Sequence, residues 1–268
     1  MKLRMIFFIT GLAVIVSLYG CGIMSKKYTK TESVTHQIST DGKKKIKLEN
    51  INGSVAISQS KDSNVLIVKA YKEIKVKKKY LDTPFDEIEV ILDTTGNMIS
   101  IKTEINKDGE DGIFKFNMDR KQRVDYEISV PLNMKIEIEN INGNVSAGSL
   151  SDDLKIDLVN GEISLENYTG RLECEVTNGS FSGHIESTKG IDINTINGGV
   201  TLYLNNYMNA NVRAESLHGK ITNEQLQFRE MIKEKNLFKG KLGSDDSEVD
   251  IKIETVNGKI KLYGRNEI

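Results

Sequence analysis

Carboxylates recur in this sequence at a fixed place. Three residues before each Asn-Gly pair, or before the single His-Gly pair that replaces one, stand Glu49, Glu139, Asp157, Glu175, Asn194, Glu215 and Glu254. Two residues further back stand Lys47, Glu137, Lys155, Glu173, Asp192, Arg213 and Lys252. Carboxylates stacked in register repel one another unless something offsets them. Around Glu139, Asp157, Glu175 and Asp192 acids outnumber bases. One expectation is therefore an oxygen-rich metal site there, for Ca²⁺ or another cationic ligand. Another is carboxylate chemistry on a glycan by Asp157, Glu175 and Asp192. The third, which we favour, is a solvated sheet face whose acids keep the protein soluble.

Other chemistry is weakly signalled. His36, His184 and His218 have no metal-ligand spacing. No nucleophile elbow and no phosphate-binding glycine loop occurs. Ser146, Ser164, Ser182, Thr201 and Thr222 each stand four after the Asn or its His substitute, and such regular recurrence marks scaffold. We expect no catalytic residue, no cofactor and no enzyme. Lys and Arg number 37 against 38 Asp and Glu, which leaves no basic excess for phosphates and argues against nucleic acid as a partner. With no Trp, two Pro and 6% aromatic residues, the composition suits many short strands and turns.

The elements that position these residues follow from alternation. Six before the turn stand Ile46, Ile136, Leu154, Leu172, Ile191, Val212 and Ile251. Four before it stand Leu48, Ile138, Ile156, Cys174, Ile193, Ala214 and Ile253. Three after it stand Val55, Val145, Ile163, Phe181, Val200, Ile221 and Ile260. All are apolar and their neighbours are polar, the pattern of a half-buried strand. By parity the carboxylates point outward, and Cys174 points inward as a small core residue. The Asn column, from Asn52 to Asn257, reads as structural, because Asn tolerates tight turns. Glycines at 143, 161, 179, 198 and 219 are spaced by 18, 18, 19 and 21 residues, and the last step, to Gly258, is 39.

Asn-Gly as a hairpin turn would give an antiparallel meander. Asn-Gly as a corner would give parallel stacking, with like residues about 4.8 Å apart. Column identity favours the second. The expected fold is all-β: a parallel β-solenoid with coils of 18 to 21 residues over 134–268, interrupted by an insertion near 224–248. A less regular β region over 45–133 precedes it, with an exposed turn at 106–112. Residues 224–241 (EQLQFREMIKEKNLFKGK) are expected to include one short helix.

The N-terminus carries an address. Lys2 and Arg4 precede an uncharged apolar run from Met5 to Leu18, which is too short for the roughly 20 residues of a spanning helix. Leu18, Gly20 and Cys21 resemble a bacterial lipobox, although Tyr19 is larger than the residue usual there. The resemblance implies a signal peptide at 1–20, a lipidated Cys21, a polar tether at 21–44, and membrane attachment of an exported protein. Cys174 is then the one remaining thiol, so no internal disulfide is expected.

The run VDYEISVPLNMKIEIENINGNVSA, the repeated units of strand, Asn-Gly and Val or Ile, and the ending FKGKLGSDDSEVDIKIETVNGKIKLYG resemble the bacterial putative-adhesin domain family. The resemblance covers roughly 45 to 265. It implies an exported β-solenoid in the cell envelope and supplies no site residues. A non-enzymatic surface for adhesion, or for binding an envelope protein or surface glycan, is the functional expectation. A glycan-active β-helix enzyme and an envelope-stress accessory protein are the alternatives.

Overall fold

The computed structural model describes residues 15–17, 27–60, 64–77, 88–105, 121–243 and 246–265. Its strands run in chain order as β1 (Ile15–Ser17), β2 (Lys27–Ser39), β3 (Lys45–Asn52), β4 (Val55–Gln59), β5 (Val65–Lys77), β6 (Ile88–Asp93), β7 (Met98–Ile105), β8 (Lys121–Val130), β9 (Lys135–Asn142), β10 (Val145–Gly148), β11 (Leu154–Asn160), β12 (Ile163–Tyr168), β13 (Leu172–Asn178), β14 (Phe181–Ile185), β15 (Ile191–Asn197), β16 (Val200–Asn205), β17 (Ala210–Ser216), β18 (Ile221–Glu224), β19 (Phe228–Lys233), β20 (Leu237–Leu242), β21 (Asp250–Asn257) and β22 (Ile260–Arg265). The protein is all-β, built on two large and mostly parallel sheets. Among the described residues there is no helix.

Each repeat places its strand before the Asn-Gly in one sheet and its strand after it in the other. The front sheet runs β19-β20-β17-β21-β15-β13-β11-β9-β3-β7-β6, and the back sheet β1-β2-β5-β8-β4-β10-β12-β14-β16-β22-β18. Like stacks on like. Leu154 lies beside Leu172 and Ile136, and Ile156 beside Cys174 and Ile138. In the back sheet Ile163 lies between Val145 and Phe181. Alternation turns these columns inward, and one apolar cluster draws on both sheets, with Ile156 and Ile193 fully buried. Parallel strands bury their apolar face only by such lateral repetition.

The corner between the sheets is built from three devices. Asn side chains form a ladder: Asn142 Nδ2 donates to Asn52 Oδ1 at 2.9 Å, Asn160 to Asn142 at 2.9 Å, Asn178 to Asn160 at 3.0 Å and Asn197 to Asn178 at 2.9 Å. Glycine follows because the backbones crowd: a Cβ on Gly179, at φ +153, would run into the carbonyl of Gly161. The buried polar residues two before the Asn satisfy corner carbonyls. Asn140 Nδ2 donates to Gly53 O and Gly143 O, both at 3.1 Å, and Thr195 Oγ1 donates to Gly198 O at 3.0 Å.

The units do not stack in chain order. β21 lies between β15 and β17, and β22 between β16 and β18. The last unit is thus seated between two units that are consecutive in sequence. The long final step is explained by β19 and β20, an antiparallel pair that covers the edge of β17. This corrects the helix expected over 224–241. Phe228 and Phe238 meet edge to face at 4.8 Å, and Phe238 and Leu242 close the end of the core. The outermost strand carries a register shift between Arg229 and Ile232, with Glu230 at φ 48. Bulges and charges on an edge discourage further strand pairing.

At the other end β3 and β4 pair directly with β9 and β10, so both sheets continue across residue 134. The residues between β4 and β9 add β7 and β6 to the front sheet and the long strands β8 and β5 to the back, where β2, from before β3, pairs with β5. Much of the stretch expected as a tether is the strand β2. The turn expected at 106–112 lies outside the described residues, as do Cys21 and most of 1–20.

Candidate functional site

The outer face of the front sheet carries three parallel rows, because residues six, four and two before the turn point inward and those five, three and one before it point outward. The first row mixes bases and acids, in spatial order Lys47, Glu137, Lys155, Glu173, Asp192, Lys252 and Arg213. The second is the carboxylate row. In it Glu49, Glu139, Asp157, Glu175, Asn194, Glu254 and Glu215 lie on neighbouring strands in register.

The two rows interlock. Lys47 Nζ stands 2.8 Å from Glu49 and 2.8 Å from Glu139. Hydrogen bonds from Lys47 to Glu139 and Glu49 hold its ammonium pKa above the ordinary lysine value. Lys155 reaches Asp157 at 3.6 Å and Lys252 reaches Glu254 at 3.0 Å, while Arg213 pairs with Glu215. Burial raises the Asp157 carboxyl pKa, and Lys155 works against that. The Lys45 contact lowers that of Glu137.

Of the expected metal candidates, Glu139, Asp157 and Glu175 are brought together as neighbours in one row. Asp192 lies in the adjoining row, beside Glu173, and accepts a hydrogen bond from Asn194 Nδ2 at 3.0 Å. Among the described residues no group of three or more His, Cys, Asp or Glu side chains is disposed to hold a metal ion. The acids form a ladder, with cations interleaved, and do not converge on a point.

The third row was not singled out from the sequence. One residue before each turn stand Ile51, Ile141, Val159, Thr177, Ile196, Val256 and Leu217, in their spatial order. Ile196 is 48% exposed and Leu217 57%. The signal was present in the sequence: this column is aliphatic in every unit but one. It is easily absorbed into the turn, since the next two residues are Asn-Gly. Beside the row lie two shallow hollows. One is bounded by Asn194, Ile196, Leu217, Asn236 and Val256, the other by Lys102, Ile141 and Val159, and both share Glu175 and Thr177.

The outer face of the back sheet differs. Ser146, Ser164, Ser182 and Thr201 are neighbours in register and make a flat hydroxyl column. Next to it, His184 Nδ1 stands 3.0 Å from Glu166 Oε2, His184 meets Tyr203 edge-on at 4.5 Å, and Tyr203 stacks on Tyr263 at 5.1 Å. Cys174 is buried between Ile156 and Ile193, and burial raises its thiol pKa well above that of a free cysteine, so it is an unreactive core residue.

Fold and faces together define an all-β protein whose long sheet surfaces are its main features. No family model matches the chain, and no curated protein does. Among solved structures the chain is similar to a putative cell adhesion protein from Clostridium sporogenes ATCC 15579, at 15% identity and a TM-score of 0.46, over 88% of this chain and 100% of that one. It is similar to a putative adhesin from Bacteroides fragilis NCTC 9343, at 12% identity and a TM-score of 0.31, over 86% of this chain and 96% of that one. A third is a putative lipid binding protein from Parabacteroides distasonis ATCC 8503, at 11% identity and a TM-score of 0.25, over 85% and 96%.

Proposed function

We propose that the protein is a non-enzymatic, lipid-anchored module of the cell envelope, which offers the outer face of the front sheet to another envelope macromolecule. In this reading the two sheets are the walls of a β-solenoid with coils of 18 to 21 residues, and Cys21 carries the lipid. One observation carries the functional part: in five of the seven units an aliphatic residue stands exposed in the same row of an otherwise charged face. Five of the ten large apolar residues exposed among the described ones belong to it, namely Ile141, Val159, Ile196, Leu217 and Val256. Exposed apolar residues scattered singly need no explanation, but several aligned in one row on a rigid sheet mark an interaction surface. The ladder arrangement of Asp157, Glu175 and Asp192 supports binding over glycan cleavage, which needs two carboxyls facing one bond.

The test is binding of the labelled mature protein to isolated cell envelopes. Ile196→Ser combined with Leu217→Ser is expected to lower the bound fraction to background, while Ser182→Ala on the back sheet leaves it unchanged. Row variants that bind as well as the parent protein would overturn this reading. Fractionation of a Cys21→Ser variant tests the anchor separately: it is expected to leave the membrane fraction.

A further inference from the structure

The same face also constrains the chemistry of its partner, given the reading above that it is a binding surface. The aliphatic row crosses seven neighbouring strands of the front sheet, from Ile51 on β3 to Leu217 on β17. At about 4.8 Å per strand it is roughly 29 Å long. That length suits a polypeptide: about 20 residues of helix at 1.5 Å each, or about nine of extended chain. The two hollows, of about 560 and 410 Å³, follow one another along the row with Glu175 and Thr177 in the lining of both, and together make up a shallow trough. Thr177, where the aliphatic row is interrupted, lines both hollows.

Charge selects among occupants. The carboxylate row borders the trough; Lys47, Lys155, Lys252 and Arg213 stand in the adjoining row on its far side, and Lys102 on β7 lines one end of the trough. Glu173 and Glu175 on the central strand have no ion-pair partner among the described residues. A second copy of this face would set carboxylates against carboxylates. An anionic membrane surface would be repelled in the same way. A neutral glycan would find no aromatic side chain in this trough. A polypeptide with aliphatic residues along one side and lysine or arginine beside them matches both rows.

We infer that the trough on the front sheet binds a cationic amphipathic polypeptide segment, whose aliphatic side chains lie on the row from Ile141 to Leu217 and whose basic side chains meet the carboxylates beside it.

The experiment uses the full mature protein in detergent and three fluorescent 18-residue probes: a Leu/Lys amphipathic peptide, a Ser/Lys peptide of equal charge, and a Leu/Glu peptide of equal apolarity. The Leu/Lys peptide is expected to bind, and the other two to bind at least about tenfold more weakly. Ile196→Ser and Glu175→Gln are each expected to weaken Leu/Lys binding several-fold with no change in the thermal unfolding midpoint, and added salt is expected to weaken it further. Ser182→Ala serves as the back-sheet control. Equal binding of the Ser/Lys peptide, equal binding of the Leu/Glu peptide, loss of binding in the back-sheet control, or no binding of the Leu/Lys peptide would each overturn the inference. In that last case envelope binding that still depends on Ile196 and Leu217 leaves the broader proposal standing, with a partner of other chemistry.

Discussion

Asn257 donates its side-chain amide to Asn197 at 2.9 Å, although 60 residues separate the two and His218 is far nearer to Asn197 in the chain. The Asn ladder therefore runs 52, 142, 160, 178, 197, 257, and His218 stands beyond its end. The one unit without the Asn is sixth in sequence but outermost of the seven in space. A ladder needs an amide only where a neighbour follows, so the exception falls at its terminus.

Seating of the last unit predicts which cysteine pairs can form. Adjacent strands place equivalent Cα atoms about 5 Å apart, within disulfide reach, and strands once removed about 10 Å apart, beyond it. Asn197→Cys with Asn257→Cys is expected to cross-link on mild oxidation, and Asn197→Cys with His218→Cys is expected not to. Gel mobility after oxidation reads the outcome. The reverse pattern would mean that the units stack in chain order.

Burial separates core from surface aliphatics three residues apart. Ile193 is fully buried and Ile196 is 48% exposed. Ile193→Ala removes packed methyl groups and is expected to cost about 2–5 kcal/mol in urea unfolding. Ile196→Ala is expected to stay within about 0.5 kcal/mol. A large loss at Ile196 would make its row part of the core.

Crowding at the corner predicts intolerance of a single methyl group. In Gly179→Ala the new Cβ meets the carbonyl of Gly161 at a φ that disfavours side chains. A loss of more than about 1 kcal/mol is expected. Asn178→Ala removes one ladder bond as donor and another as acceptor, and each is worth about 1 kcal/mol. Chemical denaturation of both variants checks the comparison.

Acid dependence has a sign fixed by Glu137, whose carboxyl pKa the Lys45 contact lowers from the ordinary 4.5. A carboxyl more acidic in the folded state adds stability above its unfolded pKa, and that contribution is lost as pH falls through the folded value. Both side chains are partly exposed, so the effect is under about 1 kcal/mol. The stability gap between the parent protein and Glu137→Gln is expected to be constant above about pH 5 and to close below pH 4, in denaturation series across pH.

The thiol of Cys174 offers a probe of the core itself. Burial and the nearby carboxylates of Asp157 and Glu175 both raise its pKa. A thiol reagent at pH 8 is expected to leave it untouched in the native protein and to react fully in urea. Rapid native reaction would place the central strand in water.

The inward columns were legible because alternation is a property of the strand itself, and Ile156, Cys174 and Ile193 lie where parity put them. The outward carboxylates followed from the same rule. The aliphatic row at Ile196 and Leu217 was written in the sequence, but turn residues next to it hid its meaning. The stretch around Phe228 and Phe238 looked helical from its Glu, Lys, Gln and Met, yet pairing on the open edge of β17 outweighs that local propensity. Order in the stack was not legible at all. Columns of nearly identical residues fit any neighbour, so Val212 would suit Ile191 as well as Ile251, its actual neighbour, does, and local chemistry cannot choose between them. Sequence alone determined what each unit looks like and which side of it is dry. Only the tertiary structure decided where the last unit sits, because that choice depends on which end is closed by the β19–β20 pair and which strand is left to be covered.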